Sequence, residues 1–257
     1  MWIQGSLGLL KFIPLKFRTA EMCLAVIQKA ELSWIKEAFK FIPDKLKTSQ
    51  VYLAAVQRAS NTLQYIPDKF KTAEIYLAAV NFFWKALFFV PDNFKTEEMC
   101  LAAVKQSGDA LGLVPDNLKT TQICLTALKK DGLALKYIQE NLKTAKICLA
   151  AVMKDSTSLE YVPSHLKTKE LCYAAVQKAE WWSLNEVFQC IPGNIKTEEL
   201  YLLAVEKDSR AIQFVPDNLK TTQICLAAVK QDSWAIVYVP EKFKKQVLKA
   251  TKTASKK

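Results

Sequence analysis

The chain has 257 residues, 51% of them apolar and 24% charged, near globular averages, which excludes a disordered chain and a low-complexity fibre. Apolar runs such as residues 147–152 fall far short of the about 20 residues that a membrane helix needs, so no span is expected. Net charge is +11, but seven lysines and one glutamate in residues 241–257 carry +6 of it, and such a segment reads as a solvated end before it reads as a binding site.

Residues 6–13 match the second half of a repeat unit whose first half is missing, so residues 1–13 read as a partial first repeat. The opening Met-Trp-Ile-Gln-Gly has no basic region and no Ala-x-Ala site, and is read as no secretory signal. From there every proline falls in one series: Pro14, Pro43, Pro67, Pro91, Pro115, Pro163, Pro192, Pro216 and Pro240. The spacings are 29, 24, 24, 24, 48, 29, 24 and 24, and Gln139 takes the proline slot inside the gap of 48. A fixed period in this range signals a stacked array of supersecondary units. Nine repeats fill residues 14–239, residues 240–257 form a basic half-repeat and tail, and residues 1–257 read as one array.

We number each repeat from its proline slot as zero. Position +3 is large and apolar, from Phe17 to Phe243, and +4 is basic, from Arg18 to Lys244. Position +5 is threonine nine times, from Thr19 to Thr221. Threonine is a good helix N-cap, because its oxygen accepts a backbone N–H of the first turn. Positions +8 to +13 then read like Ile-Cys-Leu-Ala-Ala-Val, as at 224–229. This predicts a helix of about ten residues, apolar on almost every side and buried on several faces by its neighbours. A turn follows, often Asp-Gly or Asp-Ser, and then a shorter second helix that must stop before the next proline. Twenty-four residues leave little room, so that second helix is expected to be a brief 3₁₀ segment. Two repeats carry five extra residues and match each other. Gln28-Lys29-Ala30-Glu31 with Trp34, Glu37 and Phe39 parallels Gln177-Lys178-Ala179-Glu180 with Trp181, Trp182, Glu186 and Phe188. Their second helix is expected to be longer. Residues 115–125 and 216–226 are identical, which points to repeat duplication. The fold class expected is all-α: a right-handed α-solenoid of short two-helix repeats.

The motif aromatic-Val-Pro-Asp-Asn-Leu-Lys-Thr-x-x-Ile-Cys-Leu-Ala-Ala-Val-Lys-Gln-Asp, as at 214–232, resembles the repeats of the domain-of-unknown-function 4116 family, and the likeness runs through essentially the whole array. The resemblance implies multi-copy helical arrays, as found in bacteria and protists, and no established activity. Gln139, Leu15, Ser164 and Gly193 depart from its Pro-Asp pattern. The 24-residue period is also similar to that of the leucine-rich-repeat-variant solenoid, by analogy of fold.

Three sets of residues compete for a functional role. Cys23, Cys100, Cys124, Cys148, Cys172 and Cys225 all stand at +9, where Tyr52, Tyr76 and Tyr201 fill the other repeats. Neighbouring rungs should lie about 10 Å apart, the helix-packing distance, too far for a shared metal or a disulfide. With Cys190 they read as buried and reduced, which suits a reducing compartment such as the cytoplasm, with delivery into a host cell left open. The only histidine, His165, reads as a surface turn residue, so no metal and no cofactor is expected.

The second set is the basic ladder Lys47, Lys71, Lys95, Lys119, Lys143, Lys167, Lys196, Lys220 and Lys244, one charge per repeat, which could track a phosphate backbone. An acid often stands three residues earlier, as at Asp44, Asp68, Asp92, Asp116, Glu140, Asp217 and Glu241, so local pairing, or pairing with a neighbouring repeat's carbonyls, is the plainer reading. The third set is aromatic. Phe82, Phe83 and Trp84 occupy turn positions that are usually polar, and Trp34, Trp181, Trp182 and Trp234 fall in comparable regions. Exposed, they would mark a partner site; the alternative is a lengthened second helix packed on its neighbour. The expectation is a non-enzymatic scaffold that binds a protein partner through these aromatics. Electrostatic nucleic-acid binding through the lysine ladder and the tail is the alternative.

Overall fold

The computed structural model describes residues 10, 13–30 and 35–254, and among these every regular element is helical. Contacts divide the chain into two compact units, Met1–Lys130 and Asp131–Lys257. In the first unit the α-helices are α1 (Ala20–Lys29), α2 (Ile35–Phe41), α3 (Ser49–Val56), α4 (Ala73–Phe82), α5 (Glu97–Gln106) and α6 (Thr121–Lys130). In the second they are α7 (Ala145–Lys154), α8 (Lys169–Lys178), α9 (Leu184–Cys190), α10 (Glu198–Lys207), α11 (Thr222–Gln231) and α12 (Glu241–Ala254).

The repeat unit explains itself from its residues. The proline holds φ near −60° and extended ψ, and the next three residues form one 3₁₀ turn, as at Asp92–Phe94. Gln139 adopts φ −63° and ψ 149° and does the same work, because glutamine can adopt a geometry that proline merely enforces. The other departures, Leu15, Ser164 and Gly193, open 3₁₀ turns of the same kind. The +5 threonine then caps the α-helix. Thr96 Oγ1 accepts from Met99 N at 3.2 Å, and Thr19, Thr48, Thr72, Thr120, Thr144, Thr168 and Thr221 repeat the bond. Thr197 instead shares its hydroxyl with Tyr173 of the preceding repeat. After the helix an aspartate caps the second segment. Asp131, Asp155, Asp208 and Asp232 each accept the backbone N–H two residues on, at 2.9–3.0 Å. In the 24-residue repeats that segment is a six-residue 3₁₀ helix, such as Gly132–Tyr137 or Ser209–Phe214. In the two 29-residue repeats it lengthens into the seven-residue α2 and α9.

The first helices of successive repeats pack side by side within each unit: α1 on α3, then α4, α5 and α6; and α7 on α8, then α10, α11 and α12. The 3₁₀ segments form a second layer within each unit, where a segment such as Gly108–Leu113 touches both the helix of its own repeat, α5, and that of the next, α6. The core lies between the layers. From the second repeat to the ninth, positions +8, +9, +12 and +13 are buried, for example Ile123, Cys124, Ala127 and Leu128, whereas Met22 at +8 of the first repeat is exposed. Each large apolar group so buried is worth about 1.5–3 kcal/mol.

The helix is buried on several faces as expected, but one of its apolar sides stays uncovered. Leu53, Leu77, Leu101, Leu125, Leu202 and Leu226 at +10 are only half-buried, and Leu149 is exposed. With about 3.6 residues per turn, flanking helices and the 3₁₀ layer cover three sides of the helix and leave the +10/+11 side to solvent. The final helix α12 packs on α11 and buries Val247, with Lys242, Lys245 and Lys249 exposed.

Candidate protein-binding surface

The lysine ladder is tied into the fold. Lys47, Lys71, Lys95, Lys119, Lys143, Lys220 and Lys244 each pair with the carboxylate three residues earlier. The hydrogen bonds from Lys47, Lys71 and Lys220 hold the carboxyls of Asp44, Asp68 and Asp217 below the usual carboxylate range. A second partner, expected on a neighbouring repeat, is a carbonyl of the same repeat. Lys95 also donates to the Leu113 carbonyl and Lys143 to the Tyr161 carbonyl, both at 2.8 Å, and Lys167 donates to Cys190 O at 3.1 Å. Arg18 reaches Phe41 O in the same way. These carbonyls end the second helix of the same repeat, where a cation is favoured. The +4 group therefore staples the start of a repeat to its end. Lys196, with Gly193 at the acid position, is half-buried.

Position +15 is a further connector that no motif announced. Gln106 donates to Val80 O at 2.7 Å and accepts from Trp84 N at 2.9 Å, and Gln231 makes the matching pair with Glu206 O and Ser209 N. After each 29-residue repeat the +15 group is basic: Arg58 bonds Ala30 O and Lys207 bonds Ala179 O. Those carbonyls end α1 and α8. The signal was present as a polar residue recurring at +15, but its partner lies a whole repeat away.

The +9 cysteines are buried and free, and burial pushes the Cys100 and Cys172 thiols up to about 11. Such thiols are poor nucleophiles and poor ligands. Cys190 is half-buried and its thiol is likewise raised. The +9 tyrosines complete ring contacts: Tyr52 lies 5.4 Å from Phe39 and 5.1 Å from Phe70, Tyr76 5.3 Å from Phe94, and Tyr201 4.8 Å from Phe188. His165 lies in the exposed Ser164–Leu166 turn. Among the described residues no three His, Cys, Asp or Glu side chains are placed to share a metal, and no helix is long and apolar enough to cross a membrane.

The aromatic candidates are on the surface. Phe82 ends α4, Phe83 caps it, and both are exposed; Trp84, half-buried, opens an ordinary six-residue 3₁₀ segment, so no lengthened helix covers them. The same segment adds Phe88 and Phe89, 70% and 53% exposed, their rings 5.3 Å apart edge to face. Sequence reasoning missed this pair: Phe89 stands at +22, which is aromatic in many repeats and looked like core, while Phe88 at +21, where Gln64, Lys136, Glu160 and Gln213 are polar, was a signal left unread. Lys85 lies over Phe83 and Trp84 at 5.9 and 5.5 Å. Five aromatics thus share eight residues of surface chain, residues 82–89. In the second unit Trp181 and Trp182 are exposed with rings 6.1 Å apart. Arg210, held by Asp208, stacks on Trp181 at 4.4 Å. Trp234 is 78% exposed and lines a crevice of about 270 Å³ with Arg210 and Tyr238. Trp34 lies outside the described residues.

No curated protein and no solved structure matches the chain. The model of a domain of unknown function, DUF4116, matches residues 72–119, 96–143, 120–167 and 197–244, each a window of two repeats, together more than half of the chain. Residues 14–71 and 168–196 carry the same proline and apolar register outside those windows. With the motif in register and the helical repeat that it builds, the chain belongs to the DUF4116 family.

Proposed function

We propose that this chain is a non-enzymatic scaffold, each unit a stretch of right-handed α-solenoid, that binds a protein partner through exposed aromatics centred on Phe82, Phe83 and Trp84. The observation that carries this reading is the aromatic surface at residues 82–89, where apolar rings stay in water although the core nearby is complete. Patches of this kind mark interaction sites, and aromatic anchors dominate their energetics. Trp181, Trp182 and Trp234 offer a second set of anchors. The groups that carry catalysis elsewhere have other duties here: thiols in the core, aspartates as caps, +4 amines on carbonyls. Buried free thiols fit a reducing compartment such as the cytoplasm.

Electrostatic nucleic-acid binding has less support. The ladder that would track phosphates spends its amines on carboxylates and carbonyls, which leaves that reading mainly the exposed lysines of α12.

The test is affinity capture from nuclease-treated lysate with the wild-type chain and with Phe82→Ala/Phe83→Ala/Trp84→Ala. A defined protein retained by the wild type and lost by the folded triple variant supports the reading. Equal capture by both chains refutes the assigned site. Capture that disappears with nuclease or moderate salt assigns the function to nucleic acid.

A further inference from the structure

The stacking of α3, α4 and α5 leaves a furrow on the solvent side of the helices. Two clefts of about 390 and 550 Å³ lie on either side of α4, one towards α3 and one towards α5, and Asn81 lines both. The half-buried Leu53, Leu77 and Leu101 line them, one per repeat at +10. Exposed acids line them too: Glu74 and Glu98 at +7, with Glu97 beside the second. Gln57 and Asn81 at +14 add amides, each able to donate and accept. Lys105 holds the same +14 place on α5 and sets one positive charge against the three carboxylates. In a chain of net charge +11, three carboxylates on one apolar furrow make it locally acidic.

We propose that this furrow holds a basic, apolar segment of a partner protein in polyproline-II conformation, one turn of ligand per repeat. The argument is one of charge and pitch. Packed helices lie about 8–10 Å apart, so like positions in successive repeats recur at that interval. A polyproline-II turn has three residues at about 3.1 Å each, or about 9.3 Å, and matches it. A helical turn of about 5.4 Å and a strand dipeptide of about 6.6 Å drift out of register within two repeats. A ligand with a three-residue period sets one apolar edge on Leu53, Leu77 and Leu101 and one basic edge against Glu74 and Glu98. Its unpaired backbone groups meet Gln57 and Asn81. This deepens the scaffold reading and touches its site at Phe82, which lines the first cleft.

The test uses fluorescence anisotropy with the full chain. The probes are a labelled peptide of four Lys-Leu-Pro triplets, its Glu-Leu-Pro counterpart, and the lysine peptide with a glycine inserted after each triplet. The lysine peptide is expected to bind best, with both others much weaker. Glu74→Gln/Glu98→Gln should weaken it by roughly fivefold to tenfold, the loss of two exposed ion pairs. Failure of the lysine peptide to bind, equal binding of the acidic or interrupted peptide, or indifference to the double substitution overturns the inference. The scaffold reading fails separately. Capture of a natural partner that survives Glu74→Gln/Glu98→Gln but not the aromatic triple variant removes the furrow alone; capture that survives both removes both.

Discussion

Lys143 decides whether the basic ladder belongs to the fold or to a ligand. Its ammonium donates to Tyr161 O at 2.8 Å and to Glu140 at 2.9 Å, and its side chain is 7% exposed. Lys143→Met keeps the length and most of the apolar stem but removes the charge and both bonds. A hydrogen bond to a charged group contributes about 1.5–3 kcal/mol, and the bond to the carbonyl that ends Ser156–Tyr161 is of this kind. The pair with the well-exposed Glu140 adds less than about 1 kcal/mol. The substitution should therefore cost about 2 kcal/mol, or about 4–8 °C in Tm for a chain of this size. Glu140→Ala, which leaves the carbonyl bond in place, should cost under about 1 kcal/mol. Thermal and urea unfolding followed by far-UV circular dichroism measure both. If Lys143→Met is as stable as the wild type, or loses no more than Glu140→Ala, the stapling argument is wrong and the amine is available to a ligand.

Three further outcomes are expected. The ring contact of Tyr76 with Phe94 should appear in a double-mutant cycle: Tyr76→Cys should cost about 3 kcal/mol, and the double variant with Phe94→Leu about 0.5–1.5 kcal/mol less than the sum of the two. Cys100 and Leu118 already combine the smaller residues in that register, so strict additivity would contradict the packing argument. At Gly132 an added Cβ would meet Ala151 O at 2.6 Å and Asp155 N at 2.8 Å, so Gly132→Val should overpack the contact and lower stability by about 1–3 kcal/mol; an unchanged urea midpoint would count against it. The Cys100 and Cys172 thiols, raised from an ordinary value near 9 to about 11, stay protonated in the fold while the unfolded chain ionises. Their contribution is complete below pH 9 and is lost as pH rises towards 11. Cys100→Val/Cys172→Val should flatten the fall in stability over that window, and a pH profile identical to the wild type would disprove it.

Much of the repeat could be read in the residues because its determinants are local. Proline, Lys-Thr and a capping aspartate each act on backbone within three residues, so helix starts, helix ends and the 3₁₀ character of the short segment follow from spacing alone. The five extra residues announced α2 and α9 for the same reason. The surface candidates were half legible. Phe82, Phe83 and Trp84 betrayed themselves by replacing polar turn residues, whereas Phe89 sat in an ordinary aromatic register and drew Phe88 beside it out of notice.

By itself the sequence determined the period, the alternation of α and 3₁₀ segments, the buried thiols and the family, all consequences of residue type at a repeated position. Only the tertiary structure decided where long side chains end. It placed the +4 amine on a carbonyl eighteen residues away in Lys95 and Lys143, and the +15 group on the preceding repeat. It also turned the +10 leucines towards solvent, where they line a furrow. The physical reason is that a helix of apolar residues carries no mark of which side its neighbours will cover. That side appears only when the repeats stack and bury the other three.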